Sequence, residues 1–243
     1  MEVKRTRKID YLPMGEQILI VQFEDVLSIE NNQMVQHFAQ LTRTLKIEGV
    51  KDIVTAMSNF SIMYDPLLIS FEQLKEKLAQ IELTEIHGTK KKSRVVHIPV
   101  VFDEQHGPDL AELAKITGYS VQEIIKMITS KTYYVYMLGF IAGLPYMGDI
   151  DERIIVPRKS NPTAKVPKGT VAIANRMTSI YTVESPGGWH LVGWTPMNIF
   201  DVTQNPPNFI GAGDYVKYEP ISSEDAYKWS KQVRKERNQL WNI

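Results

Sequence analysis

Apolar and polar positions in the first 81 residues alternate between strand and helix patterns. Gln17–Phe23 (QILIVQF) is apolar and β-prone, and Val50–Ala56 and Ser61–Tyr64 have the same character, so three strands are predicted. The helical spacing of apolar residues through Asn31–Lys46 predicts a first helix. A second helix is predicted from Ser70, which offers an N-cap and matches a capping box with the glutamine three residues later. The buried stripes of the two helices are predicted to be Met34, Val35, Phe38, Leu41, Leu45, Phe71, Leu74, Leu78 and Ile81.

These elements follow the order β-α-β-β-α, and one more strand would complete a split βαβ, ferredoxin-like unit. Ile81–Ile86 and Arg94–Val101 are both candidates for that strand. Between them, the polar segment Thr89–Ser93 predicts a linker. We therefore expect a ferredoxin-like α/β domain over residues 1–93 and a second domain over residues 94–243.

A pair of short helices is predicted within Gly107–Ser130. Gly118 ends the first helix, and Ser120 with Glu123 forms a capping box for the second. Helix–turn–helix also describes a DNA-reading motif. The second helix, however, has Lys126 as its one positive residue, and binding to phosphates needs several.

Short β-rich runs separated by glycine and proline follow from Lys131 to about Pro220, which is typical of an all-β sandwich or barrel. The end of the chain is predicted to be helical, with Ser222 and Asp225 as a capping box. The β-rich runs are YYVYMLGF, RIIVP, TVAIAN, SIYTVES, WHLVGWT, NIFDV and DYVKYEP.

The composition is that of an ordinary globular protein of 243 residues. Basic and acidic residues balance at 28 each, so we expect no nucleic-acid partner. Cysteine is absent, which excludes disulfides, thiolate nucleophiles and iron–sulfur sites. The N-terminal segment MEVKRTRKIDYLPMG lacks an apolar signal core, and no apolar run approaches the ~18 residues of a membrane span. We expect a cytoplasmic protein without a membrane partner.

Common catalytic and cofactor motifs are missing from the sequence. No two of the five histidines stand three or four residues apart, so no metal is expected on this chain. There is no GxSxG elbow, no GxxxxGK[ST] and no GxGxxG. Any ATP used by the protein would therefore be bound elsewhere or shared with another polypeptide.

The segment SPGGWHLVGWTP (Ser185–Pro196) has more features than a hairpin turn needs. Its two adjacent glycines permit a close approach, and a tryptophan beside them offers a flat surface. The segment is either a bulged hairpin with packed tryptophans or a loop that faces a ligand. Cations elsewhere in the β region could hold a carboxylate or phosphate, or could make surface ion pairs. No residue is assigned a catalytic role, and the candidate binding residues are Tyr146, Arg158, Lys165, Tyr181, Ser185, Gly187, Gly188, Trp189, His190 and Thr195.

Several ordered motifs together resemble one known family. They are YMLGFIAGLPYMG, VPR, KVPKGTVAIA, SIYTVESPGGWHLVGWTP and GAGDYVKYEP, and GPDLAELAKITGYSVQEII precedes them. The chain is similar, over essentially its whole length, to the family that contains the B subunit of 5-oxoprolinase, the sporulation kinase A inhibitor and allophanate hydrolase subunit 1. The same module forms half of the carboxyltransferase region of biotin-dependent urea carboxylase.

This resemblance implies a small α/β domain followed by a cyclophilin-like β-barrel. It implies that the partner is a homologous barrel protein, the C subunit, and that an A subunit is often present as well. The assembled enzyme opens 5-oxoproline to glutamate with ATP. Two other functions stay open: inhibition of a sensor histidine kinase, and a role in allophanate hydrolase or urea carboxylase.

The sequence departs from the family pattern at five positions. Ala142 and Leu144 replace proline and phenylalanine, and Ile128 stands where a histidine is usual. Thr163 replaces the second arginine of a two-arginine motif, and Trp194 stands where many members have Gly-Arg-Thr. These departures leave open a changed ligand.

Overall fold

The computed structural model describes residues 9–81 and 93–229. The chain divides into two compact units, residues 1–92 and residues 93–243. Each unit has a hydrophobic core built from its own residues. Whether the two units fold as independent domains stays a prediction. Within the described ranges, no helix combines the length and the apolar character needed to span a bilayer.

The first unit is a four-stranded antiparallel sheet with two helices. The strand order is β1-β2-β4-β3, and the core combines Leu19 and Val21 of the sheet with Phe38, Leu74 and other apolar residues of the helices. The predicted strands and helices are confirmed within a few residues. The elements are β1 (Asp10–Met14), β2 (Ile18–Gln22), α1 (Ile29–Thr44), β3 (Val50–Thr55), β4 (Asn59–Tyr64) and α2 (Phe71–Ala79).

The prediction for the fourth strand of this sheet is corrected by the structure. The position beside β2 is taken by β1, which precedes β2 in the chain and pairs with it from Asp10–Gln22 to Met14–Ile18. Arg94–Val101 contributes instead to the sheet of the second unit. The other candidate, Ile81–Ile86, falls almost entirely outside the described residues, as does the predicted linker.

The second unit is built around a seven-stranded sheet with the order β12-β9-β10-β7-β6-β13-β5 and includes two short helices. Strands β8 and β11 form a separate two-stranded ribbon. The elements are β5 (Val95–Val100), α3 (Leu110–Thr117), α4 (Val121–Ser130), β6 (Thr132–Leu138), β7 (Pro145–Gly148), a 3₁₀ turn (Glu152–Ile154), β8 (Thr163–Val166), β9 (Thr170–Ala174), β10 (Met177–Ile180), β11 (Ser185–Gly187), β12 (His190–Trp194) and β13 (Tyr215–Pro220).

The large sheet curls until its two outer strands meet. Val101, directly after β5, pairs with Trp194 at the end of β12, and each backbone N–H donates to the other residue's carbonyl at 2.8 and 3.0 Å. One residue pair therefore closes the sheet into a barrel. This confirms the predicted α+β class and barrel.

The helix boundaries follow the sequence patterns closely. Gly118 ends α3 in a left-handed conformation (φ 77°), and the Ser120–Glu123 capping box begins α4. Residues 223–229 are helical, and the Ser222 hydroxyl accepts a hydrogen bond from the Asp225 N–H at 3.0 Å. The remaining residues of the predicted terminal helix lie outside the described residues.

Two predicted strands of the second unit are not found among the strands of the described residues. RIIVP begins inside the 3₁₀ turn at Glu152–Ile154, which starts where the Asp151 carboxylate accepts from the Arg153 N–H at 3.1 Å, and its Val156 makes one isolated bridge with Asn175. In NIFDV, Phe200 pairs with Asn208 in a single isolated bridge rather than in a strand.

Candidate active site

A pocket lies at the rim of the barrel unit, between the turn before β7, the segment after the 3₁₀ turn, and the segment that joins β11 to β12. It encloses about 50 Å³ and is open to solvent on one side, where Phe140 is 68% exposed. Its lining residues are Phe140, Leu144, Tyr146, Arg158, Ser179, Tyr181, Gly187, Gly188 and Trp189.

The wall of the pocket is aromatic and carries a cation. Trp189 is only 7% exposed, and the ring of Tyr146 meets it edge-on with the ring centroids 5.8 Å apart. The guanidinium carbon of Arg158 lies 5.9 Å from the centroid of the Trp189 ring, within cation–π range. The guanidinium thus lies over the indole ring, while the Arg158 residue as a whole is exposed.

Several polar groups in the pocket have no hydrogen-bond partner among the described residues. The guanidinium of Arg158 and the hydroxyls of Tyr146 and Tyr181 make no hydrogen bond or ion pair with any described residue. The buried hydroxyl of Ser179 also has no partner within the described ranges. The Ser179 hydroxyl is buried, and a buried hydroxyl is normally hydrogen-bonded, whereas Arg158 is exposed and can be hydrated. A ligand that carries its own polar atoms could bond to both groups.

Burial raises the pKa of the Tyr181 phenol, the neighbouring Tyr146 raises it further, and the Arg158 cation opposes the shift. Tyr181 is therefore a protonated hydrogen-bond donor at neutral pH. An arginine beside protonated hydroxyls is an arrangement that binds a carboxylate or another oxyanion.

Gly187 confirms the close approach that the sequence indicates for the SPGGW segment. A Cβ placed on Gly187 would lie 1.9 Å from the Tyr181 hydroxyl oxygen, whereas one on Gly188 would meet nothing closer than 3.8 Å. The absent side chain at Gly187 is thus what lets Tyr181 lie against the loop. Trp189 is packed and also lines the pocket. The interpretation as packed tryptophans and the interpretation as a ligand-facing loop are therefore compatible.

Six of the ten candidate residues line the pocket, and four do not. Lys165 is exposed on β8. Ser185, on β11, has a buried hydroxyl without a hydrogen-bond partner among the described residues. Pocket geometry therefore gives neither of these residues a direct role.

The other two candidates outside the lining are buried residues that hold backbone segments. The hydroxyl of Thr195 accepts from the Met197 N–H at 3.1 Å, and its side chain is inside the barrel unit. Nε2 of His190 lies 3.0 Å from the Pro157 carbonyl. Since a carbonyl only accepts, Nε2 carries the hydrogen, and the bond ties β12 to the segment that bears Arg158.

Sequence reasoning missed three lining residues, namely Phe140, Leu144 and Ser179. The glycine-rich run LGFIAGLPYMG signals a special loop, and Phe140 within it has a left-handed φ of 68°. Nothing in the sequence marks Ser179, because it lies in SIYTVES, one of the runs predicted as strands.

The five departures from the family pattern have structural consequences. Ile128 is completely buried in the barrel core, and Leu144 lines the pocket. The carbonyl of Ala142 and the hydroxyl of Thr163 both accept hydrogen bonds, and the indole N–H of Trp194 donates one. Of the five positions, only Leu144 is among the described lining residues of the pocket.

The described lining of the pocket determines which metal ligands and general bases it can offer. Within residues 9–81 and 93–229, no group of three or more histidine, aspartate or glutamate side chains could hold a metal ion. The lining contains no histidine or carboxylate that could act as a general base. The described lining therefore offers a cation and hydroxyl groups that could bind a small anion.

Comparison with known proteins identifies the family. The profile of the carboxyltransferase domain, subdomain C and D, matches residues 9–210. The chain belongs to this family. Within the carboxyltransferase-domain family, it is 36% identical over 231 residues to the B subunit of 5-oxoprolinase from Bacillus subtilis, a match that covers 88% of this chain and 95% of that protein.

Two other relatives also match most of this chain in sequence. The B subunit of 5-oxoprolinase from Haemophilus influenzae is 33% identical over 86% of this chain and 97% of its own length. The urea amidolyase of Lachancea kluyveri is more distant, at 24% identity over 90% of this chain, and the match spans 14% of that protein.

Solved structures agree with the fold of this family member. The crystal structure of TTHA0988 is 29% identical over 85% of this chain with a TM-score of 0.75, and the chain spans about 40% of that protein's length. The urea carboxylase of Kluyveromyces lactis has a TM-score of 0.75 over 95% of this chain, with 17% identity and 23% of its own length covered. The latter likeness concerns the fold alone.

Proposed function

We propose that this chain is the B subunit of an ATP-dependent 5-oxoprolinase and that its rim pocket holds the carboxylate of 5-oxoproline. The observation that carries the proposal is the guanidinium of Arg158, stacked on Trp189 without an ionic partner in the described part of the chain. Relatives that match over almost their whole length are named as the B subunit of 5-oxoprolinase, which supports the same conclusion.

5-Oxoproline is a small ring that carries one carboxylate and one amide. Its carboxylate matches Arg158, and its amide matches the hydroxyls of Tyr146, Tyr181 and Ser179, which lack partners among the described residues. The apolar edge of the ring would lie against Trp189. The enclosed space of about 50 Å³ is below the usual range for small-molecule sites of roughly 300–1,000 Å³. A partner surface would therefore have to complete the site.

This incompleteness is consistent with a protein that does not act alone. The relatives are named as one lettered subunit of 5-oxoprolinase, which implies other subunits in those proteins. We propose a homologous barrel protein, similar to the C subunit of that enzyme, as the direct partner, with an A subunit in the same assembly and in the cytoplasm. ATP would be bound by, or shared with, those partners, because the sequence has no phosphate-binding motif.

The proposal is tested by purifying the tagged chain with its native partners and measuring ATP-dependent formation of glutamate from 5-oxoproline. In the assembled enzyme, Arg158→Ala removes a charged hydrogen bond of about 1.5–3 kcal/mol, so we expect KM for 5-oxoproline to rise about 10- to 100-fold. Arg176→Ala is a matched control, because Arg176 already pairs with Asp149 at 3.3 Å and is not a lining residue.

An unchanged KM in Arg158→Ala would contradict the assignment of the carboxylate site. A sensor histidine kinase in the eluate, without 5-oxoprolinase activity, would overturn the function and favour the kinase inhibitor. Activity with urea-derived substrates would favour the urea amidolyase relatives.

A further inference from the structure

The backbone on both sides of Arg158 is bonded to the segment that carries Trp189. The carbonyl before Arg158 accepts from Nε2 of His190 at 3.0 Å, and the N–H of Lys159 donates to the Gly188 carbonyl at 2.7 Å. These two bonds flank Trp189 on one segment and Arg158 on the other. The cation–π geometry therefore depends on the registration of the two segments.

The side chain of Lys159 points away from solvent and is fully hydrogen-bonded. It is 18% exposed, and its ammonium lies 2.9 and 3.0 Å from the two carboxylate oxygens of Asp109. The hydroxyl of Thr163 lies 3.2 Å from the same ammonium. The three N–H groups of the ammonium thus have three acceptors, and the position of residue 159 is fixed from both its backbone and its side chain.

Asp109 connects this lysine to β12, the strand that follows Trp189. Its side chain is 12% exposed, and one carboxylate oxygen accepts from the Leu191 N–H at 2.7 Å. Its own backbone N–H donates to the Leu191 carbonyl at 3.1 Å. Asp109 directly precedes α3 and therefore joins that helix, β12 and Lys159 in one network.

We infer that Asp109 and Lys159 are a positioning pair for the pocket: they hold Arg158 in register with Trp189 and so orient its guanidinium toward the ligand. Neither residue lines the pocket, so both act through Arg158. The inference rests on the proposed function only for the identity of the ligand, because the geometry of Arg158 can be measured without it.

The low exposure of the pair determines how the variants should be designed. Removing one partner leaves the other charge buried and unpaired, which destabilises the fold as well as the site. Lys159→Met and Asp109→Asn are therefore accompanied by the double variant, which has no buried charge and should recover stability. The double variant keeps the backbone bond from Lys159 to Gly188 but lacks the side-chain bonds from Lys159 to Asp109 and Thr163, so it separates positioning from stability.

The first readout is the indole N–H signal of Trp189 in an amide NMR spectrum of the whole chain. The chain has four tryptophans, so the signal is assigned by Trp189→Phe. We expect the signal to move in Arg158→Ala and to move likewise in the folded single variants and in the double variant. Lys51→Met is the matched control, because it breaks the Lys51–Asp65 ion pair of the first unit. A Trp189 signal at its wild-type position in the folded double variant would overturn the inference.

The second readout uses the assembled enzyme. We expect KM for 5-oxoproline to rise about 10- to 100-fold in the double variant, the range by which a misplaced binding group weakens a site, with a smaller change in kcat. A purely structural pair predicts instead that KM returns to normal when stability returns. If the wild-type assembly has no 5-oxoprolinase activity, the proposed function fails, and the Trp189 signal still decides the inference.

Discussion

At the scale of single residues, close packing decides what the pocket can contain. The Tyr181 hydroxyl lies where a side chain on Gly187 would have to be, so the phenol and the loop share one space. The neighbouring Gly188 has open surroundings and no left-handed backbone. A side chain at Gly187 would therefore displace Tyr181, whereas a small side chain at Gly188 would fit, although the two glycines look alike in the sequence.

Gly187→Ala should lower the free energy of unfolding by about 1–3 kcal/mol, because overpacking displaces Tyr181. Gly188→Ala is the control and should change stability little. Urea unfolding followed by fluorescence measures both variants. Adding Tyr181→Phe to Gly187→Ala should recover part of the loss, since it removes the nearest clashing atom. Equal stabilities for the two alanine variants would contradict this account.

At the scale of elements, the N-termini of two helices are set by hydrogen bonds between residues three positions apart. Ser70 with Gln73, and Ser120 with Glu123, form complete capping boxes in the structure. Each box spans four consecutive residues, so its geometry is already determined by the helix that it begins. This is why the sequence predicts both boxes without knowledge of the tertiary fold.

The capping box of α4 yields a pH-dependent prediction. Hydrogen bonds from the Ser120 hydroxyl and then from its backbone N–H lower the pKa of the Glu123 carboxyl. The stabilisation is present above the ordinary pKa of glutamate and is lost as the pH falls through the lowered pKa. We expect Ser120→Ala to cost about 1 kcal/mol in stability at neutral pH.

Carboxyl-carbon NMR titration would follow Glu123 directly. In Ser120→Ala the pKa of Glu123 should move up toward its ordinary value, and Ser70→Ala should leave it unchanged. A low pKa that persists in Ser120→Ala would assign the shift to the backbone N–H of residue 120, which the variant keeps, and to the charge of Arg153 rather than to the hydroxyl.

At the scale of the whole molecule, the barrel depends on its closure. Val101 and Trp194 join the two outer strands, and the adjacent Gly193 provides the space for this approach. A Cβ on Gly193 would lie 2.9 Å from the Val101 carbonyl oxygen and 2.8 Å from a Val100 methyl group. The two units have separate cores, so damage at this point should stay within one of them.

Gly193→Ala should destabilise the barrel unit by about 1–3 kcal/mol. Hydrogen exchange should accelerate in β5 and β12, while β2 and β4 of the first unit keep their protection. Mass spectrometry of peptides from the two units measures the contrast. Equal acceleration in both units would show that their stability is coupled.

Six of the ten candidate residues line one pocket, whereas the fourth strand of the first unit was predicted wrongly. Arg158, Tyr181 and Trp189 carry functional groups that are recognisable by type, whereas β1 contains a proline and exposed residues that obscure its strand character. Ser179 and the Asp109–Lys159 pair escaped notice because their roles depend on neighbours far away in the chain. Residues 109 and 159, for example, are brought together only by the barrel.

The sequence by itself determined the helices, most of the strands, the capping boxes, the α+β class and the chemical types available for a ligand. These properties depend on periodicity and on interactions between residues a few positions apart. Only the tertiary structure decided which residues face the pocket, which strand completes the first sheet, and which charges are paired. Those outcomes depend on long-range strand pairing and burial, because a side chain's partner is set by the strand beside it rather than by its neighbours in the chain.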